Sequence, residues 1–310
     1  MSRLTASAAP AAGRDITGAT AATAADTAPA GIDAGGVAVN GGNSSPPARH
    51  TPKAGRAWRR VLLAVWLPLV LLIVWWFASA NSTSPFFPPL QSILTETWKQ
   101  WIVQGAWVNA VASLSNLFVG YVVGGLIGIV FGSLLWRSRY LRQSANPFVY
   151  FLYVLPAPAL LPASIAIFGI GSTRQIALIA FGAIWPTLLN TLDGMRGVDA
   201  VKLDTARALR LGGWRTYFTV VLRSASPQVA AGLRASLTVA IILMVVSEMI
   251  ASNSGIGYFI LQAQAAFAVK KMWTGIIVLA ILGTVLNLIF VLVERRVLRW
   301  YYRSRALGNS

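Results

Sequence analysis

The chain has 310 residues, 56% of them hydrophobic and only 11% charged, with a formal net charge of +17. A soluble domain carries about a quarter charged residues, so this composition excludes an ordinary globular fold and predicts an all-α membrane protein. No cysteine is present and the single histidine, His50, lies in the N-terminal tail. Disulfides, thiolate chemistry and cysteine-ligated metals are thereby excluded, and histidine-based catalysis is argued against, whereas counting leaves carboxylate or serine chemistry open.

Residues 1–56 (among them AAPAAGRDITGATAATAADTAPAGIDAGGVAVNGGNSSPPARH) are rich in Ala, Gly, Thr, Ser and Pro. Such a stretch buries too little apolar surface to fold, and a disordered cytoplasmic tail is expected. It lacks the charged-then-apolar start of a signal peptide.

Apolar runs long enough to cross a bilayer, about 20 residues each, follow at 61–80, 109–136, 147–168, 176–192, 229–250 and 275–293. Six crossings define a transmembrane domain over 57–305, with a short C-terminal tail at 306–310. Pro156, Pro158, Pro162 and Pro186 interrupt the third and fourth runs. An even number of spans puts both termini on one side. On the other side fall only Lys99, Arg174, Lys270 and Lys271; every other Lys and Arg shares the side of the termini. Basic residues mark the cytoplasmic face, so both termini are expected in the cytoplasm. The large positive charge then orients the chain in the membrane, and no nucleic-acid partner is expected.

In the second run Gly120, Gly124, Gly128 and Gly132 repeat at an unbroken spacing of four, on one helix face. Association in lipid relies on close packing, and a face of small residues permits it. The ladder serves either packing within the chain or a subunit interface. The third run, LYVLPAPALLPASIAIFGIGS, places Pro156, Pro158 and Pro162 close together. Proline frees backbone carbonyls, and broken membrane helices line cavities or lie against protein. A packing kink and a role along the pathway both remain open. Glu248 is the one acid in the fifth run. Intramembrane acids point to function, yet its place near the outer end equally suits hydrogen bonding to backbone amides of the following SNSGIGY segment. Residues 253–273 are too polar to span and suit a short helix at the outer surface. No acid/base or metal cluster accompanies these features, so no catalytic or metal site is expected.

Between the fourth and fifth runs lies DTARALRLGGWRTYFTVVLRS, residues 204–224. Asp199 suits a helix cap, Ala206, Ala208 and Leu209 favour helix, and Gly212 and Gly213 are expected to supply the left-handed turn that ends it. Trp214, Phe218, Val221 and Leu222 recur on one face of a second, amphipathic helix. A helix–turn–helix of this kind docks into a groove on a cytoplasmic partner or lies on anionic membrane lipid.

The order acid-Thr-Ala-Arg-Ala-Leu, glycine turn, Trp, then VVL resembles the EAA loop of binding-protein-dependent ABC importer permeases. The glycine ladder, LPAPALLP followed by FGIG, WPTLLNTLDG, SPQVAAGLRASL and VSEMIASNSGIGYFI are similar to the nitrate, sulfonate and taurine branch of that family. The resemblance covers roughly residues 60–300. It implies a six-helix bundle with a cytoplasmic coupling helix, in the inner membrane. It also implies a P-loop ABC ATPase partner, an extracytoplasmic substrate-binding protein and a permease homodimer. Asp204, Thr205, Ala206, Arg207, Arg210, Gly212 and Gly213 would then couple to the ATPase, with Asp204 or Arg207 as candidates for ion pairs to it. This sequence has no GxxxxGK[ST] loop, so ATP would be bound by the partner and the chain itself would need no cofactor. It departs from the family pattern at Asp204 (usually Glu), Thr205 (usually Ala), Arg210 (usually Gly) and Arg223 (usually Pro). The alternative is an ion-driven secondary transporter. That class places ionisable residues at mid-membrane, where only Glu248 comes close.

Overall fold

The computed structural model describes residues 55–301, with side chains from Trp66 onward. Most of the expected N-terminal tail, and the C-terminal tail at 306–310, lie outside the described residues. Everything regular among the described residues is helical. Helix α1, Gly55–Ser79, carries the first apolar run, of which Trp66–Ser79 has described side chains. A turn follows in which the Leu90 amide donates to Ser79 Oγ at 3.1 Å. Sequence patterning gave no element to the next stretch, yet α2, Leu90–Trp98, forms there and runs into a π-helical turn, Lys99–Val103. The Trp101 indole donates to Thr274 Oγ1 at 3.2 Å, tying this short amphipathic piece to the last span.

Helix α3, Trp107–Arg137, has 31 residues, about 46 Å at the standard rise. Helix α4, Arg139–Val154, begins where a loop was expected, because Ser138 Oγ accepts the Leu141 amide at 3.2 Å and starts a new helix at once. The chain then breaks at Leu155–Pro156, makes a single 3₁₀ turn, Ala157–Leu160, and resumes as α5, Leu161–Phe168. The two parts meet at 86°. The expected third span is therefore a bent pair rather than one interrupted rod. Two glycines at positive φ, Gly169 (71°) and Gly171 (144°), turn the chain into α6, Ser172–Arg196. Pro186 does not break α6 as expected; it sits buried inside a continuous helix.

Helix α7, Ala200–Ala208, is short. Then α8, Gly213–Thr216, a π-helical turn, Tyr217–Val221, and α9, Leu222–Met249, join into one helical run of 37 residues. The amphipathic second helix and the fifth span, expected to be separate, are thus one element. Helix α10, Ile256–Ala265, is the short outer helix anticipated between the last two spans, and α11, Val269–Val297, ends the described fold. Four of these elements are long and apolar enough to cross a membrane, and the α4–α5 pair counts as a fifth. With α1 they make the six-segment bundle.

Helix α6 is the centre, packed between α3 and α9. All four ladder glycines are buried in the α3–α6 contact. A Cβ built on Gly120 would lie 2.8 Å from Ile179 Cβ, one on Gly128 2.7 Å from the Ile184 carbonyl, and one on Gly132 2.8 Å from the Leu188 carbonyl. Gly124 would meet the Ala180 backbone. The facing side of α6 is itself small, with Ala183, Thr187 and Thr191 buried at a spacing of four. Lipid tails are as apolar as leucine, so only close backbone approach and polar pairing favour association there. Thr187 and Ser236 supply one such pair across α6 and α9 at 3.1 Å, and the Tyr121 hydroxyl supplies another to the Leu233 carbonyl at 2.9 Å. In this chain the ladder packs within the subunit.

Candidate functional site

Two polar constellations sit at opposite ends of the α3–α6–α9 core. The first is the turn after α6. Asp199 caps α7 by accepting the Val201 amide at 3.0 Å, and Thr205 Oγ1 donates to the Val201 carbonyl at 2.8 Å. Asp204 and Arg207 pair with each other at 2.7 Å across one helical turn, both exposed. Such a pair is worth only about 0.3–0.5 kcal/mol, so either partner is readily released. Ala206 does not reach the surface; it is buried, and its carbonyl accepts the Leu211 amide at 3.0 Å. The Arg210 amide bonds to the Arg207 carbonyl at 2.8 Å. These two bonds, six residues to one and five to two, are the Schellman closure of a helix.

The residue that takes the left-handed position in that closure is Arg210, at φ 50°. This corrects the expectation for Gly212 and Gly213. Gly212 has φ −59° and ψ 152°, an extended conformation open to any residue, and caps α8, while Gly213 is its first helical residue. The physical reason is the length of α7. Capping by Asp199 sets its start, the helix runs nine residues to Ala208, and after the Leu209 cap the closure falls on Arg210, two positions before Gly212. Left-handed backbone costs a non-glycine residue roughly 1–2 kcal/mol. It also aims a long cation outward from the tip. Around it, Val201, Leu209 and Trp214 are exposed apolar side chains, Trp214 at 78%. Trp214 and Phe218 stack, with ring centroids 5.7 Å apart and planes 12° apart. The expected single apolar face is split, because the π-helical turn inserts a residue: Val221 is fully buried while Trp214 and Phe218 face out. The tip is therefore a basic knob with apolar shoulders.

The second constellation closes the opposite end of that core. Arg174, placed by the charge count in an outer loop, stands in the first turn of α6 and is 0% exposed. Its Nη2 donates to the carbonyls of Ser247, Ile250 and Ala251 at 2.9, 2.9 and 2.8 Å. A helix C-terminus carries unsatisfied carbonyls and partial negative charge, so Arg174 caps α9 from a neighbouring helix. Beside it Asn116 Nδ2 donates to Gln175 Oε1 at 2.5 Å, and Gln175 Nε2 donates to Ser252 Oγ at 2.8 Å. The backbone of residues 255–257 is held by three side chains. Gly255 donates to Asn109 Oδ1 (3.1 Å), Ile256 to Ser113 Oγ (2.9 Å) and Gly257 to Glu248 Oε2 (2.9 Å). Glu248 is buried and its Oε2 accepts a backbone amide of the segment that follows it. Asn109, Ser113, Asn116, Arg174 and Gln175 were missed in sequence. Each finds its partner 59 or more positions away, beyond the reach of any local pattern. The prolines Pro156, Pro158 and Pro162 lie elsewhere, exposed at the α4–α5 bend, and are brought to neither constellation. Among the described residues no group of His, Cys, Asp and Glu could hold a metal ion.

Comparison with known proteins places this arrangement. The family described as "Binding-protein-dependent transport system inner membrane component" matches residues 124–299. A protein of Bacillus subtilis (strain 168) named as an aliphatic sulfonates transport permease, SsuC, is 31% identical over 253 residues, 80% of this chain and 91% of its own. The taurine transport system permease protein TauC of Escherichia coli (strain K12) is 30% identical over 250 residues, 78% and 91% respectively. The nitrate import permease protein NrtB of Synechococcus elongatus (strain ATCC 33912 / PCC 7942 / FACHB-805) is 29% identical over 207 residues, 64% and 74%. Among solved structures, a chain of the MetNI methionine ABC transporter in an inward-facing conformation superposes with a TM-score of 0.55 at 22% identity, over 65% of this chain and 98% of that one. That likeness shows the fold.

Proposed function

The chain belongs to the binding-protein-dependent transport system inner membrane components, the permeases of ABC importers, and from this premise we propose how it works and what it carries. The solute is small and bears an oxyanion group, of the sulfonate, taurine or nitrate kind. The relatives' names support that class: aliphatic sulfonates, taurine and nitrate share a compact group of several oxygens on one centre. An extracytoplasmic binding protein delivers the solute. A separate P-loop ATPase binds and hydrolyses ATP, since the chain carries no phosphate-cradling glycine motif. Two copies of the permease form the pathway between them, in the cytoplasmic membrane with both termini in the cytoplasm.

The observation that carries this reading is the knob at residues 199–218. It stands on the basic, cytoplasm-facing end of the bundle, its tip is exposed, and its backbone is fixed by a cap at one end and a Schellman closure at the other. A rigid convex turn is what a groove on a soluble subunit can grip and move. Arg210 is the residue at its apex. The test is purification of the tagged full chain in mild detergent from its native host. A stoichiometric P-loop ATPase is expected, together with ATP-dependent solute uptake when both are reconstituted with the binding protein. A chain that purifies alone and moves solute down an ion gradient without ATP would sink the proposal in favour of a secondary transporter.

A further inference from the structure

A groove of about 800 Å³ opens on the side of the bundle between the last two turns of α3 and the turn that leads into α9. Its deep end is apolar, walled by Val130, Leu134, Phe218 and Leu222; its rim carries two guanidinium groups, Arg137 and Arg207. No carboxylate lines it. Arg207 shares its charge with Asp204, whereas Arg137 has neither hydrogen bond nor ion pair among the described residues. Seven residues of helix separate Val130 from Arg137, about 10 Å along the axis. With α3 crossing a membrane, that length would carry the groove from headgroup level into the hydrocarbon layer. Val130 and Leu134 are 62% and 49% exposed and continue an open apolar strip upward through Leu126.

We propose that this groove binds an anionic phospholipid of the cytoplasmic leaflet, its phosphate against Arg137 and Arg207 and one acyl chain along α3. Charge and depth select this occupant. A soluble subunit would meet the rim but not the apolar wall, which lies at membrane depth. A neutral lipid would fill the wall but leave Arg137 without a counter-ion in the low-dielectric boundary. Trp214, stacked on Phe218, also lines the groove, and tryptophan is an aromatic residue that membrane interfaces favour. Because Leu203, Arg207 and Leu211 of the coupling turn also line the groove, the lipid would brace that turn from behind. The assignment rests on the proposed orientation only for which leaflet supplies the lipid.

The test uses the full chain, with whatever subunits co-purify, in nanodiscs containing a trace of photoactivatable lipid, cross-linked sites being mapped by mass spectrometry. Phosphatidylglycerol is compared with phosphatidylcholine bearing the same acyl chains. Labelling of Val130, Leu134 and Phe218 by phosphatidylglycerol is expected to exceed that by phosphatidylcholine several-fold. Arg137→Gln should reduce it several-fold while labelling of α11 stays constant. Leu134→Trp, which fills the groove without touching charge, should reduce labelling by both lipids. Equal labelling by the two lipids, indifference to Arg137→Gln, or a groove protected by a second copy or by the ATPase would each overturn the proposal. Loss of ATPase on purification would overturn the importer reading and leave this labelling pattern as it is.

Discussion

Gly128→Ala tests whether the α3–α6 contact is as close as the packing requires. The added Cβ would sit 2.7 Å from the Ile184 carbonyl oxygen and 2.8 Å from Thr187 Cβ. Ordinary contact begins near 3.5 Å, so the two helix backbones must separate by about 0.7 Å along the ladder. Overpacking of this kind costs about 1–3 kcal/mol. Alanine also raises helix propensity by about 1 kcal/mol, which would blur the result. Gly283→Ala in α11 removes that ambiguity, because its Cβ would have nothing within 4 Å and it therefore shows the propensity effect alone. The difference between the two variants isolates the contact, about 2 kcal/mol, or roughly 4–8 °C in a protein of this size. Thermal denaturation of both, as fluorescent fusions in one detergent, measures it. If Gly128→Ala melts at or above Gly283→Ala, the glycines do not bring these helices together and the packing argument fails.

Arg210→Gly should keep the left-handed closure and preserve thermal stability within about 1 kcal/mol or improve it, whereas Arg210→Val, with its branched Cβ at φ 50°, should lower the yield of co-purified ATPase; equal yields from the two would refute an apex role for this turn. Gly212→Ala should change neither stability nor ATPase recovery, since its φ of −59° suits any residue and nothing lies within 4 Å; a marked loss would restore a conformational role to that glycine. Replacing Arg174 by Met strands three buried carbonyls, for a cost on the order of 3 kcal/mol; faster hydrogen exchange over residues 250–257 is the readout, and unchanged protection would show that the cap contributes nothing. Changing Pro156 and Pro158 together to Ala should let the helix continue past Leu155 and reduce transport more than it reduces expression; full transport would make the bend incidental.

Apolar length and spacing made most of the bundle legible in the sequence. The glycine ladder declared a packing face because a spacing of four is helical, although only the facing small residues of α6 decided that the partner lies in the same chain. Asp199 was readable as a cap because capping is local. Other features were not, each for a stated cause. Arg174 looks like a loop charge until the carbonyls of α9, 73 or more residues away, are brought beside it. Arg210 hides behind two glycines that advertise turn propensity but are not needed for it, because the helix length fixes where the closure falls. The π-helical turn at Tyr217–Val221 breaks the 3.6-residue period, so the periodicity that suggested a separate amphipathic helix ran through an inserted residue. Helix α2 is nine residues long, too short for its pattern to stand out from chance.

The run from Gly213 to Met249 has a mechanical consequence. At 1.5 Å per residue it is a rod of about 55 Å, with the turn at Arg210 beside one end and the carbonyls held by Arg174 at the other. A rod transmits displacement where a loop would absorb it. A displacement at the Gly213 end is therefore carried to the Arg174 cap, softened only at the π-helical turn and at Pro227. The two polar constellations are thereby joined by a single piece of backbone, and the stiffness of those two places sets the slack between them.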